Sequence, residues 1–320
     1  MNEQNTALVL GATGGIGGEM ARALIARGWR VRGLNRDPGK IREPLAGVEW
    51  IRGDAMNAAD VAAAAEGADL IVHAVNPPGY HNWRGTALPM LANTIAAARA
   101  GGARIFFPGT VYNFGPETFP LVGEDAPQRP LTRKGAIRVE METMLRRASD
   151  DGARVLILRA GDYFGPRSVS NSWFGAALVK PGRRIKSIVY PGRPDAGHAW
   201  AYLPDVAETA MRLIEREAAL PDFAVFHFGG HWFERGVDIA DIIREAAGNP
   251  DLPVRRFPWL LVYLGAPFVE MFRETLEMTY LWRQPVRMDN RRLVAFLGTE
   301  PHTPAVAAVR ASLEGLECLA

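Results

Sequence analysis

Thr6-Ala7-Leu8-Val9-Leu10-Gly11-Ala12-Thr13-Gly14-Gly15-Ile16-Gly17 is the stretch whose reading decides the fold class. Its first five residues are mostly apolar and stop at a glycine, which predicts a buried strand. Ile16, Met20, Ala23 and Leu24 then recur at helical spacing as far as Gly28, a helix-stopping glycine. Between strand and helix the glycines stand as G-x-x-G-x-x-G. The first makes a tight turn, the next lets backbone approach a pyrophosphate, and the last lets the helix pack close to the strand. Phosphates then meet unpaired N–H groups at the helix N-terminus. A glycine motif alone is weak, but a strand before it and a helix after it supply the context of a dinucleotide cradle. Gly11, Thr13, Gly14, Gly15, Ile16 and Gly17 are its candidate residues.

Outward from this stretch, short apolar runs alternate with helical patterns. Strands are expected at Trp29–Leu34, Val48–Ile51, Asp69–Val75, Ala103–Phe107 and Arg154–Leu158, and helices at Gly15–Arg27, Val61–Glu66, Thr86–Ala100 and Lys134–Ser149. Strands joined by helical crossovers give an α/β, Rossmann-type, doubly wound parallel sheet. After Ala160 the periodicity weakens and Gly, Pro, Arg and aromatic residues gather. The expected division is a nucleotide-binding domain over 1–164 and a smaller C-terminal substrate lobe over 165–320, with about 204–230 returning to the first domain. Leu260–Trp282 reads as mostly helical and too apolar for a solvated helix, which predicts a buried packing face. A homodimer is a further expectation.

Composition narrows the function classes. Among 320 residues, 37 basic and 35 acidic side chains leave a net charge of +2, too small a surplus to argue for a nucleic-acid or membrane-surface partner. The lone Cys318 excludes a disulfide framework, and the six histidines show no metal-binding spacing, so no metal is expected. The chain begins without a basic leader and apolar core, and its longest uncharged run is too short to span a bilayer, which predicts a soluble, cytoplasmic protein.

Several further stretches resemble the extended, atypical branch of the short-chain dehydrogenase/reductase superfamily, the NAD-dependent epimerase/dehydratase family. Gly53-Asp54-Ala55 is similar to its G-D pair, whose acid contacts adenine. Phe106-Phe107-Pro108-Gly109-Thr110-Val111-Tyr112 looks like its S-S-x-x-V-Y stretch. Arg159-Ala160-Gly161-Asp162-Tyr163-Phe164-Gly165-Pro166 looks like its R-x-x-x-x-Y-G-P stretch, and Tyr202-Leu203-Pro204-Asp205-Val206-Ala207 its V-D-D-V-A helix start. The resemblance runs from about Thr6 to about Gly248. It implies a nicotinamide cofactor, with Asp54, Ala55, Ala74 and Val75 joining the cradle. An NAD-selective site places an acid at the end of the second strand. Here Asn35 and Arg36 stand there, and Arg36 would hold a 2′-phosphate, so NADP is favoured over NAD.

The resemblance fails at the catalytic positions. The family's Ser/Thr becomes Pro108, its Tyr becomes Lys134 and its Lys becomes Arg138. Three readings stay open. Lys134 replaces the tyrosine as acid, with Arg138 beside it. A hydroxyl of Thr110, Tyr112 or Tyr163 has moved in. Or no proton relay exists. On the substrate side, Tyr80, His81 and Trp83 of the loop after the fourth strand and Arg167 of the C-terminal lobe are candidates. Three functions compete: an NAD(P)-dependent oxidoreductase on a small organic substrate with a non-standard site, an NADP-sensing regulator similar to NmrA-like proteins, and a nucleotide-sugar epimerase or dehydratase.

Overall fold

The computed structural model describes residues 4–76, 82–167 and 172–319. Its first stretch runs β1 (Thr6–Leu10), α1 (Gly15–Ala26), β2 (Arg30–Asn35), β3 (Val48–Arg52), α2 (Ala58–Ala64), β4 (Leu70–His73), α3 (Trp83–Gly101) and β5 (Arg104–Thr110). There follow β6 (Leu121–Val122), α4 (Arg133–Asp150), β7 (Arg154–Ala160), β8 (Asp162–Phe164), β9 (Ile188–Tyr190), β10 (His198–Tyr202), α5 (Leu203–Ile214), β11 (Phe223–His227) and β12 (His231–Phe233). The chain ends with α6 (Ile239–Ala247), β13 (Val254–Arg256), α7 (Trp259–Gly265), α8 (Glu270–Glu277), β14 (Arg287–Met288), α9 (Arg291–Leu297) and α10 (Ala305–Gly315).

Seven strands form one parallel sheet in the order β11-β7-β5-β4-β1-β2-β3. The direction of winding reverses between β1 and β4, which pair from Ala7↔Leu70 to Leu10↔His73. Ligands of such sheets sit beyond the carboxyl ends of the strands at that reversal. The glycine stretch follows β1 there, and Ala74 follows β4. All five residues of β1 are buried, as a strand covered on both faces requires.

The chain folds as two compact units. The first is Met1–Gly109, Ile137–Leu158 and Val206–Phe226, and the second is Thr110–Ala136, Arg159–Asp205 and His227–Ala320. The first has its core in side chains such as Leu8, Ile71, Leu91, Phe107, Leu145 and Ile157. The second packs Phe164, Phe174, Trp200, Tyr202, Ile243 and Leu313 around a three-stranded sheet ordered β12-β10-β8.

Two helices begin earlier than the apolar periodicity predicts, and in the first of them a cap sets the start. The Asn57 side chain accepts from the N–H groups of Ala59 and Asp60, so α2 opens at Ala58. In α3, Trp83 is drawn into the first turn, where it is buried.

The buried packing face expected over Leu260–Trp282 is corrected by the structure. Val262, Ala266, Met278, Leu281 and Trp282 turn inward, but Leu260 is 70% exposed, Leu264 65% and Phe268 87%. The segment is not one helix. Proline cannot continue a helix, and α7 ends at Gly265, two residues before Pro267. The chain folds back into α8, and each short helix has only one side against protein. No helix among the described residues is long and apolar enough to cross a membrane.

Candidate functional site

The glycine stretch is built at the limit of steric tolerance. Gly11 has φ +90°, and a Cβ there would lie 2.6 Å from the Ala74 carbonyl oxygen. A Cβ on Gly17 would meet the Gly11 oxygen at 2.2 Å. Gly14 donates its N–H to the Gly11 carbonyl at 2.9 Å and stands as the N-cap of α1 without a capping side chain. The first-turn amides of Gly15, Ile16 and Gly17 have no acceptor within the helix. No acid occupies that turn, so the positive end of the α1 dipole is not neutralised locally. The arrangement is one an anionic diphosphate fits.

At the end of β2 the charges are sorted. Arg36 is exposed and pairs with no residue among those described. Asp37 is bound by Lys40 at 2.8 Å, and its N–H donates to the Asn35 side-chain oxygen at 2.8 Å. Arg32 spends its guanidinium on the carbonyls of Ala64 and Glu66. The one acid adjoining Arg36 in the chain is thus neutralised by its own turn. Asp54 is half-buried and accepts from the Met56 N–H at 3.0 Å, while the Ala55 carbonyl accepts from Asn93 at 2.9 Å. Both hold the loop after β3 in shape.

Within the same unit, Arg138 lies over the rings of Trp83 and Phe107 at 5.3 and 5.5 Å, a cation–π arrangement, and reaches the Pro108 carbonyl at 3.5 Å. Trp83 donates its indole N–H to Asn76 at 2.8 Å. His73, at the end of β4, shares a 2.8 Å hydrogen bond with the Thr94 hydroxyl. Burial, and then the Arg138 charge, lower its imidazole to about 3, so it stays neutral at physiological pH. Sequence reading missed His73, because an apolar strand gives no sign that its last residue is a buried histidine.

The remaining candidates belong to the second unit. Lys134 is 5% exposed, 3.1 Å from a Glu274 carboxylate oxygen and 3.0 Å from the Glu274 carbonyl, to which it donates. Arg133 shares Glu274 at 2.8 Å and binds Glu277 at 3.1 Å. Burial pushes the Lys134 amine below the usual lysine range, while Glu274 works against that shift. The Thr110 hydroxyl oxygen accepts from the Tyr112 N–H at 3.4 Å and caps the turn Val111–Asn113. Gly135 lets α4 approach that turn, since a Cβ there would come within 2.3 Å of the Tyr112 carbonyl. Tyr112 and Tyr163 are half-buried and Arg167 is exposed. Tyr80 and His81 lie outside the described residues.

Next to Tyr163 in the chain, and so on the opposite face of β8, Asp162 receives a 2.9 Å contact from His198 Nε2. Both side chains are 7% exposed. Trp282 stacks on the imidazole, with centroids 4.0 Å apart and planes 13° apart. A pocket of about 10 Å³, about the room one water needs, is lined by this pair with Val111, Gly161, Leu281 and Met288. Burial and then neighbouring charges, Asp162 among them, raise the Tyr190 and Tyr280 phenols above their ordinary value. Only proximity in the fold reveals this pair, as 36 residues separate its members. No group of three or more metal-ligating side chains is found among the described residues.

Solved structures share the fold across nearly the whole chain. A UDP-galactose 4-epimerase is 18% identical, with a TM-score of 0.73 and 98% of each chain covered. The UDP-glucuronic acid 4-epimerase of Bacillus cereus, in complex with UDP-glucuronic acid and NAD, is 16% identical, with a TM-score of 0.76 and coverage of 98% of this chain and 99% of that one. The Bordetella bronchiseptica enzyme WbmH, in complex with NAD+, is 19% identical with a TM-score of 0.71 and 98% of each chain covered. No curated protein matches the sequence. The signature of the NAD dependent epimerase/dehydratase family, in contrast, matches residues 7–229. The chain therefore belongs to the NAD-dependent epimerase/dehydratase family.

Proposed function

We propose that the chain is an NAD(P)-dependent oxidoreductase of this family acting on a small organic substrate, with NADP(H) preferred and without the Ser-Tyr-Lys relay. The observation that carries the reading is the cradle, where Gly11, Gly14 and Gly17 leave the first turn of α1 open to a diphosphate. The dinucleotide, when bound, supplies or accepts a hydride. Arg36 supports the NADP preference, because it is exposed while Asp37 is already neutralised by Lys40. NAD is the competing cofactor, since solved relatives carry it. Calorimetric titration is expected to show tighter uptake of NADPH than of NADH, and Arg36→Asp to weaken NADPH by about tenfold while leaving NADH unchanged. An unchanged preference in that variant overturns the assignment.

The ammonium of Lys134 serves an ion pair in this reading and is not the proton donor. The relay is drawn from Tyr163 or from the Asp162–His198 pair. General acid–base groups contribute about a hundredfold or more. Tyr163→Phe or His198→Gln is therefore expected to lower kcat by about a hundredfold with the dinucleotide Kd unchanged. Retained turnover in both, with loss in Lys134→Met, overturns it. Trp83, Arg167, Tyr80 and His81 are the substrate-side residues proposed.

Two other readings each have one support. The epimerase structures favour a nucleotide-sugar substrate, and Pro108, Lys134 and Arg138 at the relay positions favour a dinucleotide sensor. A panel of UDP-sugars and small carbonyl compounds, followed by nicotinamide absorbance, separates all three. Turnover on any of them removes the sensor.

A further inference from the structure

Pro258-Trp259-Leu260-Leu261-Val262-Tyr263-Leu264-Gly265-Ala266-Pro267-Phe268-Val269 contains no charged side chain. It forms α7 and the turn into α8. The side chains it sends outward are apolar: Leu260, Leu261, Leu264 and Phe268 are each more than 60% exposed, and Met271 on α8 is 60% exposed. A contiguous apolar face of this kind is rare on a soluble monomer and marks an interaction surface.

The hairpin is held in place. Trp259 donates its indole N–H to the Pro191 carbonyl at 2.7 Å. Arg273 donates to the carbonyls of Ala266 and Pro267 at 3.1 and 3.3 Å, which ties α8 to the turn. The Phe272 ring lies so close to Gly265 that a Cβ there would come within 2.5 Å. Arg283 donates to the Tyr263 hydroxyl at 2.9 Å. These bonds present the apolar side chains on an ordered platform.

The rim is basic. Arg255 and Arg256 on β13 stand one residue before the run, are exposed, and have no carboxylate partner among the described residues. Arg273 and Arg283 spend their hydrogen bonds on carbonyls and a phenol. On the acidic side, Glu274 is neutralised by Lys134 and Arg133, and Glu277 by Arg133. Glu270 is the acid nearest the run in sequence.

We infer that this hairpin docks on the surface of an anionic lipid bilayer. Leucine and phenylalanine side chains of a short amphipathic element settle at the headgroup–acyl boundary, aromatic rings with a polar edge sit at headgroup level, and guanidinium groups meet lipid phosphates. Helices of 7 and 8 residues cannot span a bilayer, so the mode is interfacial.

The test is co-sedimentation of the full chain with vesicles of phosphatidylglycerol and phosphatidylcholine, and with phosphatidylcholine alone. The expected result is binding to the anionic vesicles, weakened at least about tenfold by combined Leu260→Ser, Leu264→Ser and Phe268→Ser, by combined Arg255→Glu and Arg256→Glu, and by added salt. Circular dichroism and the thermal midpoint should match the parent, since all five positions are exposed. Three results overturn the inference. The parent chain stays in the supernatant with both vesicle types. It binds both types equally, whatever the variant. Or light scattering shows a dimer that the serine variant dissolves, with no vesicle binding.

Discussion

Gly17→Val is expected to weaken dinucleotide uptake by a hundredfold to a thousandfold, read by calorimetry with NADPH and NADH. The cause is local and steric. A Cβ at this position would stand 2.2 Å from the Gly11 oxygen and 2.7 Å from its carbonyl carbon. Those are backbone atoms, so no rotamer change relieves the overlap, and either α1 or the turn must shift. The turn cannot shift freely, because Gly11 itself sits against Ala74 and Val75 at the end of β4. A shift of α1 moves the amides of Gly15 and Ile16 away from the place proposed for the diphosphate. A thousandfold loss corresponds to about 4 kcal/mol. Gly28→Ala is the control. Gly28 also has a positive φ, +75°, but nothing lies within 4 Å of its Cβ position. It is expected to lose about 1 kcal/mol of stability through backbone strain and no affinity. Equal affinities for Gly17→Val and the parent would remove the cradle from every functional reading above.

The second large effect is on stability against pH. His73 and His227 are both buried, and both are lowered to about 3, in each case mainly by burial and then by a nearby arginine. His227 shows why the neutral form is required. Its Nδ1 lies 3.0 Å from the Val122 carbonyl and donates to it, so Nε2, 3.1 Å from Arg159 Nη1, accepts from the guanidinium. A second ring proton would break the Arg159 bond and set two cations face to face. In the unfolded chain these imidazoles titrate near 6.5. Between about 6.5 and 3 the unfolded state therefore binds more protons, and stability rises with pH across that window. The contribution is complete above 6.5 and is lost as pH falls toward 3, on the order of 5 kcal/mol for each histidine. Urea midpoints measured at pH 7, 6 and 5 are expected to fall steadily, before most carboxylates begin to titrate. His227→Gln should flatten that slope, and a midpoint unchanged from pH 7 to 5 contradicts the assignment.

The sheet was the most legible part of the molecule in the sequence, because buried parallel strands are continuous apolar runs and glycines punctuate them. Thr6–Leu10 and the helix from Gly15 needed nothing beyond periodicity. The second unit was less legible. Strands of three residues, such as Asp162–Phe164 and Ile188–Tyr190, carry no period to read, and they are ordered by aromatic packing between distant segments. The misreading of Leu260–Trp282 has a specific cause. Apolar content does not by itself mean burial, and Pro267 breaks the segment into two short helices that turn part of that content outward. At the site, the resemblance sets Pro108, Lys134 and Arg138 where the family's trio is expected. It did not show that Lys134 is bound to Glu274, a partner 140 positions away.

Both units are assembled from separated pieces of the chain. The first needs Val206–Phe226 to complete it, after Thr110–Ala136 and Arg159–Asp205 have been given over to the second, which in turn needs residues to the end of the chain. A ribosome making this protein must therefore release more than two thirds of it before either unit has all its parts. No contiguous truncation can be expected to yield one unit alone. Fragments meant to isolate the first unit would have to be spliced from three stretches or left attached to the rest.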